Sequence, residues 1–250
     1  MLTPEAMIPD ARKEALSEAV SQRFSCRKYQ ARDLEPGDWS ALAYLCGKCA
    51  LPGVRLIPLR CNEGLFSLPL MRVPVIRGVM TCAAVVTEND SRDALIYAGF
   101  SGELLVLELT AIHLGTCWVT GTYRKNLAEE KARPGTGCKL QGLIAVGYPD
   151  TKKSARRRKP LRSICTADPA EWAEGPRHMA ELVMQAPSAM NLQPWQLALE
   201  PDRLILDARE HNPRTALDIG IALCHAELAC SGTHTWHLAK SGDEPYCWAE

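Results

Sequence analysis

Residues 186–197 read Ala-Pro-Ser-Ala-Met-Asn-Leu-Gln-Pro-Trp-Gln-Leu, or APSAMNLQPWQL. A helical pattern over 176–186 stops here, because a residue before proline is driven out of the αR region and Pro187 cannot continue the helix. Ser188, Asn191 and Gln193 then offer short hydrogen-bonding groups before the chain goes extended. An asparagine both donates and accepts, so it can read an amide-like ring edge or a sugar hydroxyl. The same residues also make a self-contained turn, with Ser and Asn bonding their own backbone. Both readings stand on these twelve letters alone.

Far upstream, RFSCRKY at 23–29 sets Arg23, Ser25 and Arg27 at alternate positions. In an extended chain the three side chains point to one side. Two guanidiniums flanking a hydroxyl suit a phosphate monoester, since Arg makes bidentate, charge-assisted hydrogen bonds to it. Alternating arginines on a solvated strand are the plainer alternative. A third stretch, HLGTCWVTGTY at 113–123, leaves a helix with small residues and free backbone N–H groups. Gly121 would let such a loop approach a planar ring closely. The competing account is a plain helix exit with Trp118 in the core, and His113 and His225 read as structural histidines.

Lys+Arg and Asp+Glu each number 29 in the 250 residues, so no global field draws in nucleic acid or an anionic membrane, and neither is expected as a partner. The one basic cluster, KKSARRRKP at 152–160, is local and reads first as a solvated linker. A composition of 46% hydrophobic and 23% charged residues suits a soluble globular chain with a real core. MLTPEAMIPDARKEALSEAV has no apolar stretch, and the longest apolar run, around 103–119, is broken by Glu108 and His113. A cytoplasmic location is therefore expected. Eleven cysteines there read as free, mostly buried thiols. Cys46-Gly-Lys-Cys49 is the one pair at a chemical spacing, yet a zinc site needs further ligands and only Cys61 lies near. A thiol-redox motif needs a preceding strand, where WSALAYL reads as helix. No metal is expected.

Helices are read over 10–22 and 37–48, and strands in VRLIPLR and GVMTCAAVVTE (78–88). A long helix follows over 94–114, with Gly115 as its cap, then the strand LQGLIAVGYP (140–149). Beyond the basic stretch the pattern restarts: helix 176–186, strand RLILD (203–207), helix ALDIGIALCHAELAC (216–230). Setting the last helix under the earlier one pairs Gly102 with Gly220 and Trp118 with Trp236. Such a repeat would mean two copies of one unit, each covering the other's hydrophobic face. Interleaved helices and strands leave α/β and α+β both open.

Taken together these stretches resemble the FMN-dependent nitroreductase family. The matching pieces are Arg-x-Ser-x-Arg-x-Tyr at 23–29, LGTCW at 114–118, IAVGYP at 144–149 and Arg-Lys-Pro-Leu at 158–161. APSAMNLQPW at 186–195 is the most specific, and the resemblance spans most of residues 20–230. The order differs from the family's. There the Pro-Ser-x-x-Asn element follows the arginine motif within a few tens of residues; here LCGKCALPGVRLIPL holds that place and lacks the Ser/Asn pair. The second half in turn lacks an Arg-x-Ser-x-Arg. Family members are homodimers in which one subunit supplies the arginine motif and its partner the Pro-Ser-x-x-Asn element. The chain thus resembles a single-chain pseudo-dimer, with residues 1–165 as one half, 166–250 as the other, and one composite site. A monomer is expected.

What the resemblance implies is an α+β fold: a mostly antiparallel sheet flanked by helices, in two fused, asymmetric half-repeats. It implies FMN, with the phosphate held by Arg23, Ser25, Arg156 and Arg158, and with Arg27 at the ribityl chain and the N1/C2=O pole. Backbone at Thr120 and Gly121 would lie near N5, and Pro187, Ser188 and Asn191 would make contact from the other half. NAD(P)H would give hydride to N5, and a nitroaromatic, quinone or enone would take the electrons in a ping-pong cycle, with no side-chain acid or base required. A flavin-binding carrier or sensor without turnover is the alternative, because loss of half a site from each repeat fits both. A thiol or zinc protein built on Cys46 and Cys49 is a third reading.

Overall fold

The structure, a computed structural model, describes residues 8–67, 76–151, 157–201, 203–230, 234–238 and 247–249. In chain order these form α1 (Asp10–Gln22), α2 (Pro36–Lys48), β1 (Val54–Arg60), β2 (Thr81–Thr87), α3 (Arg92–Ala111), β3 (Gly115–Val119), α4 (Lys125–Ala132) and β4 (Lys139–Gly147). Then come α5 (Glu174–Gln185), β5 (Trp195–Leu199), β6 (Leu204–Ala208), α6 (Pro213–Ala229), β7 (Trp236–Leu238) and β8 (Cys247–Ala249). One sheet runs β1-β2-β4-β3 and the other β5-β6-β8-β7. The same order therefore occurs twice. Every strand pairing is antiparallel, which makes the fold α+β and removes the α/β option.

Local chemistry sets the helix ends. Asn212 accepts from the N–H groups of Arg214 and Thr215, and the Thr215 hydroxyl accepts from the Asn212 N–H. With Pro213 in the first turn, α6 has a complete N-terminal cap. At the end of α3 the expected glycine cap is not used. His113 takes the left-handed conformation at φ 66°, and the Leu114 N–H reaches the Leu109 carbonyl at 2.9 Å, the bond that closes a Schellman turn. Gly115 instead opens β3, where a Cβ would sit 2.8 Å from Pro149 Cγ and 3.2 Å from Cys26 Cβ. The sequence suggests a loop where β3 lies, since GTCWV is too short and too mixed to declare a period.

Strand β2 is buried at every position. Cys82, Ala84 and Val86 join one core layer, while Ala83 and Val85 join the layer under α2 and α3. Covering both faces explains why this strand shows a continuous apolar run instead of alternation. At the centre of the molecule α3 crosses α6. A Cβ on Gly99 would lie 2.1 Å from the Leu217 carbonyl oxygen, and one on Gly220 would lie 2.0 Å from that of Ile96. Packing thus pairs Gly220 with Gly99 and not with Gly102, whose own missing Cβ makes room for the Trp118 ring.

Two buried carboxylates, at positions this register does not equate, have similar surroundings. Glu103 on α3 accepts the Trp118 indole N–H at 2.9 Å and meets His225 at 2.9 Å and Arg23 at 3.7 Å. Glu227 on α6 accepts the Trp236 indole N–H at 3.0 Å and meets His234 at 2.7 Å and Lys13 at 3.1 Å. Each half therefore neutralises a fully buried Glu with its own Trp, an imidazole and a cation from the α1 region, as burial of a charge demands. Cys230 also lies near Glu227 and His234, but the cation facing that carboxylate is Lys13.

Candidate active site

A cleft of about 610 Å³ opens between the halves, within the roughly 300–1,000 Å³ range of small-molecule and cofactor sites. Ser25 and Arg27 line it from the segment after α1, held there by a bridge between Ser25 and Thr116 on β3. Trp118, Thr120 and Gly121 line it from the end of β3. A Cβ on Gly121 would meet nothing within 4 Å, so the backbone there faces open space. The second half contributes Pro187, Ser188 and Asn191 after α5, together with Leu217, Asp218 and Ile221 on α6. RFSCRKY and APSAMNLQPWQL thus border one cavity.

The loop after α5 is shaped by its sequence. Ala186 adopts ψ 142° before Pro187 and ends the helix. Met190, Asn191 and Gln193 then take positive φ values of 51°, 59° and 48°, a left-handed conformation that non-glycine residues rarely hold without compensation. Compensation comes from side-chain bonds. Ser188 Oγ accepts the Gln193 N–H at 2.8 Å, and Asp218 accepts the Ala189 N–H at 3.1 Å. Asn191 donates to the Arg157 carbonyl at 3.0 Å and accepts from Arg158 at 3.1 Å. Gln193, only 3% exposed, accepts the Lys159 N–H at 2.9 Å. Ser188 therefore bonds within its own turn, whereas Asn191 binds the basic segment.

Two arginines expected at a phosphate sit elsewhere. Arg23, 6% exposed, does not line the cleft: its guanidinium faces Glu103 and donates to the Gln185 carbonyl at 3.2 Å. Arg158 donates to that same carbonyl at 2.8 Å and to the Ala186 carbonyl at 3.0 Å. Both cations thus satisfy the free carbonyls at the C-terminal end of α5, where the helix dipole favours positive charge. Arg156 lies outside the described residues.

The cations that do line the cleft are Arg27, Arg157 and Arg214, all exposed. None of their guanidiniums makes an ion pair or side-chain hydrogen bond among the described residues. Asp218 is the one acid on the lining among the described residues. Burial pushes its carboxyl up to about 7, against the opposing pull of the Ala189 N–H and Arg214. Sequence reading passed over Arg157, Arg214 and Asp218. Asp218 had left a signal, as a lone acid in the apolar run ALDIGIALC. Cys46 on α2 and Cys49 at its C-terminal end are buried, and burial raises both thiols to about 12. Neither is a thiolate near neutral pH, so no redox chemistry is ascribed to the pair.

The family model described as "Putative TM nitroreductase" matches residues 15–230. Among solved structures, a "putative nitroreductase" from Thermotoga maritima superposes with a TM-score of 0.66 at 26% identity, over 93% of this chain and 92% of that chain. A nitroreductase with bound FMN from Desulfitobacterium hafniense gives a TM-score of 0.50 at 15% identity, over 58% of this chain and 94% of that one, a likeness of fold. No curated protein matches the chain.

Proposed function

The chain belongs to this nitroreductase family, and on that premise we propose that it is an FMN-dependent oxidoreductase with one composite site, drawing electrons from NAD(P)H and passing them to a small acceptor. The observation that carries the reading is the charge of the cleft. Three arginines that make no ion pair among the described residues, beside the Ser25 hydroxyl, suit an anion, and a flavin phosphate supplies close to two negative charges at neutral pH.

In this reading Ser25 and Arg157 hold the phosphate, and Arg27 faces the electron-rich pole of the ring. Pro187, Ser188 and Asn191 border the ring from the second half. Backbone at Thr120 and Gly121 offers close approach, as the open space at Gly121 allows. Arg23 and Arg158 position the loop by clamping the end of α5. Trp118 lends a rigid wall, its indole fixed by Glu103. Bound flavin supplies hydride and electron transfer; the chain's residues orient it and exclude water. One cleft serving donor and acceptor in turn gives ping-pong kinetics, with a nitroaromatic, quinone or enone as acceptor. The close crossing of α3 and α6 supports reading residues 1–165 and 166–250 as two halves of one monomer.

The visible spectrum of the purified protein, followed by release and quantification of its flavin, tests this. One FMN per chain is expected, bound at least tenfold more weakly after Arg27→Gln. Stopped-flow mixing with NADH and NADPH then separates an enzyme from a carrier. A colourless protein that takes up no added FMN would end the proposal.

A further inference from the structure

Helix α6 presents a stripe to the cleft at positions 214, 217, 218 and 221, the i, i+3, i+4, i+7 spacing of one helical face. Exposure falls along it: Arg214 is exposed, Leu217 is 7% exposed, and Asp218 and Ile221 are each 2% exposed. The stripe therefore descends from the mouth of the cleft to its floor, over about 10 Å at 1.5 Å per residue. Met190 also lines the cleft and is 75% exposed, carried on backbone at φ 51°. A strained loop that holds an apolar side chain out in water is an outlier of the kind that gathers at ligand sites.

We propose that the mouth of the cleft is an anion subsite for the substrate that exchanges electrons with the cofactor, and that Arg214 holds that substrate's carboxylate or phosphate. The inference rests on the flavin reading above. If Ser25, Arg27 and Arg157 serve the cofactor, Arg214 is the cation left over on the lining among the described residues, and its guanidinium makes no hydrogen bond or ion pair among them. Leu217 below it and Met190 beside the same opening suit a flat, apolar body with a charged end. Asp218, one turn deeper, feels the Arg214 charge but forms no ion pair with it among the described residues.

The anion can come from the acceptor or from the pyrophosphate of the donor, and half-reactions separate them. The flavin-loaded full chain is compared with its Arg214→Gln and Arg214→Lys variants. Photoreduced protein is mixed with 4-nitrobenzoate or uncharged 4-nitrobenzyl alcohol. Oxidised protein is mixed with NADPH, NADH or uncharged N-benzyl-dihydronicotinamide. The anionic-to-neutral preference in rate is expected to fall about tenfold or more in Arg214→Gln in one of the halves, with most of it kept in Arg214→Lys. The half that responds identifies the source. Preferences within twofold of the parent in both halves overturn the inference, as does equal loss in the Lys and Gln variants. If the parent chain binds no flavin, or no donor reduces it, the flavin reading itself has failed and the inference falls with it.

Discussion

Replacing Gly220 with alanine tests the packing that holds the cleft together. The added Cβ would sit 2.0 Å from the Ile96 carbonyl oxygen, where carbon and oxygen ordinarily approach to about 3.3–3.6 Å. α3 and α6 must therefore part by about 1.3 Å, and gaps of even 0.5–1 Å forfeit roughly a quarter to a half of each dispersion contact. Overpacking of this kind costs about 1–3 kcal/mol, and we expect the upper half of that range because the obstacle is backbone. The sign is decisive, since alanine at an unobstructed helical glycine gains about 1 kcal/mol. Gly47→Ala, in α2 with nothing within 4 Å of its Cβ, supplies that control. Gly99→Ala meets the Leu217 carbonyl at 2.1 Å, so one separation of the helices relieves both contacts. The double variant should then cost at least about 1 kcal/mol less than the two singles together. Urea midpoints at constant m-value measure all four variants. A Gly220→Ala protein as stable as the parent, or strictly additive singles, would refute the close crossing.

Two further expectations concern the site. Asn191→Gly relieves the left-handed backbone but removes the amide that ties the loop to Arg157 and Arg158. Leaving those partners unsatisfied costs about 1–3 kcal/mol, so FMN affinity, read by quenching of flavin fluorescence, should fall about tenfold, and unchanged affinity would remove Asn191 from the site. Asp218 titrates at about 7 when folded against about 3.9 unfolded. Between those values the native state holds a proton that the unfolded chain has lost, so raising the pH from about 4 to about 7 destabilises the fold. Asp218→Asn keeps an acceptor for Ala189 and should flatten that slope, leaving the variant more stable than the parent at pH 8; an unaltered pH profile of the urea midpoint would show that the carboxyl is not buried as described.

Legibility in the sequence followed the reach of each signal. α1, α2, α5 and α6 announce themselves through proline, caps and apolar spacing, all local properties. β3 and the short strands near the C-terminus were missed because their pairing is set by distant partners, and period is weak over three to five residues. The two distant segments that border the cleft were legible through Ser25, Arg27, Ser188 and Asn191. Which arginines of KKSARRRKP face the cleft was not, since alternate residues of an extended segment point opposite ways and only tertiary structure fixes the phase. Arg158 turns to the end of α5 and Arg157 to the cleft. Arg23 was drawn inward by Glu103, a carboxylate whose burial no local pattern displays.

The same contrast accounts for the asymmetry between the halves. Five residues (49–53) join α2 to β1, whereas nine (186–194) join α5 to β5. In the short connection Leu51 turns inward, 6% exposed, and its N–H bonds the Ser101 hydroxyl on α3 at 3.0 Å. In the long one the Ala189 N–H bonds Asp218 on α6, and Pro187, Ser188, Met190 and Asn191 border the cleft with Met190 in solvent. A turn that anchors on a neutral serine and buries a leucine has closed its side. One that anchors on a carboxylate borders an open cleft that arginines from both halves line. One copy lacks the Ser/Asn pair and the other lacks Arg-x-Ser-x-Arg, so the two motifs meet only at this cleft among the described residues, and one flavin per chain, not two, is the stoichiometry expected from the proposed function.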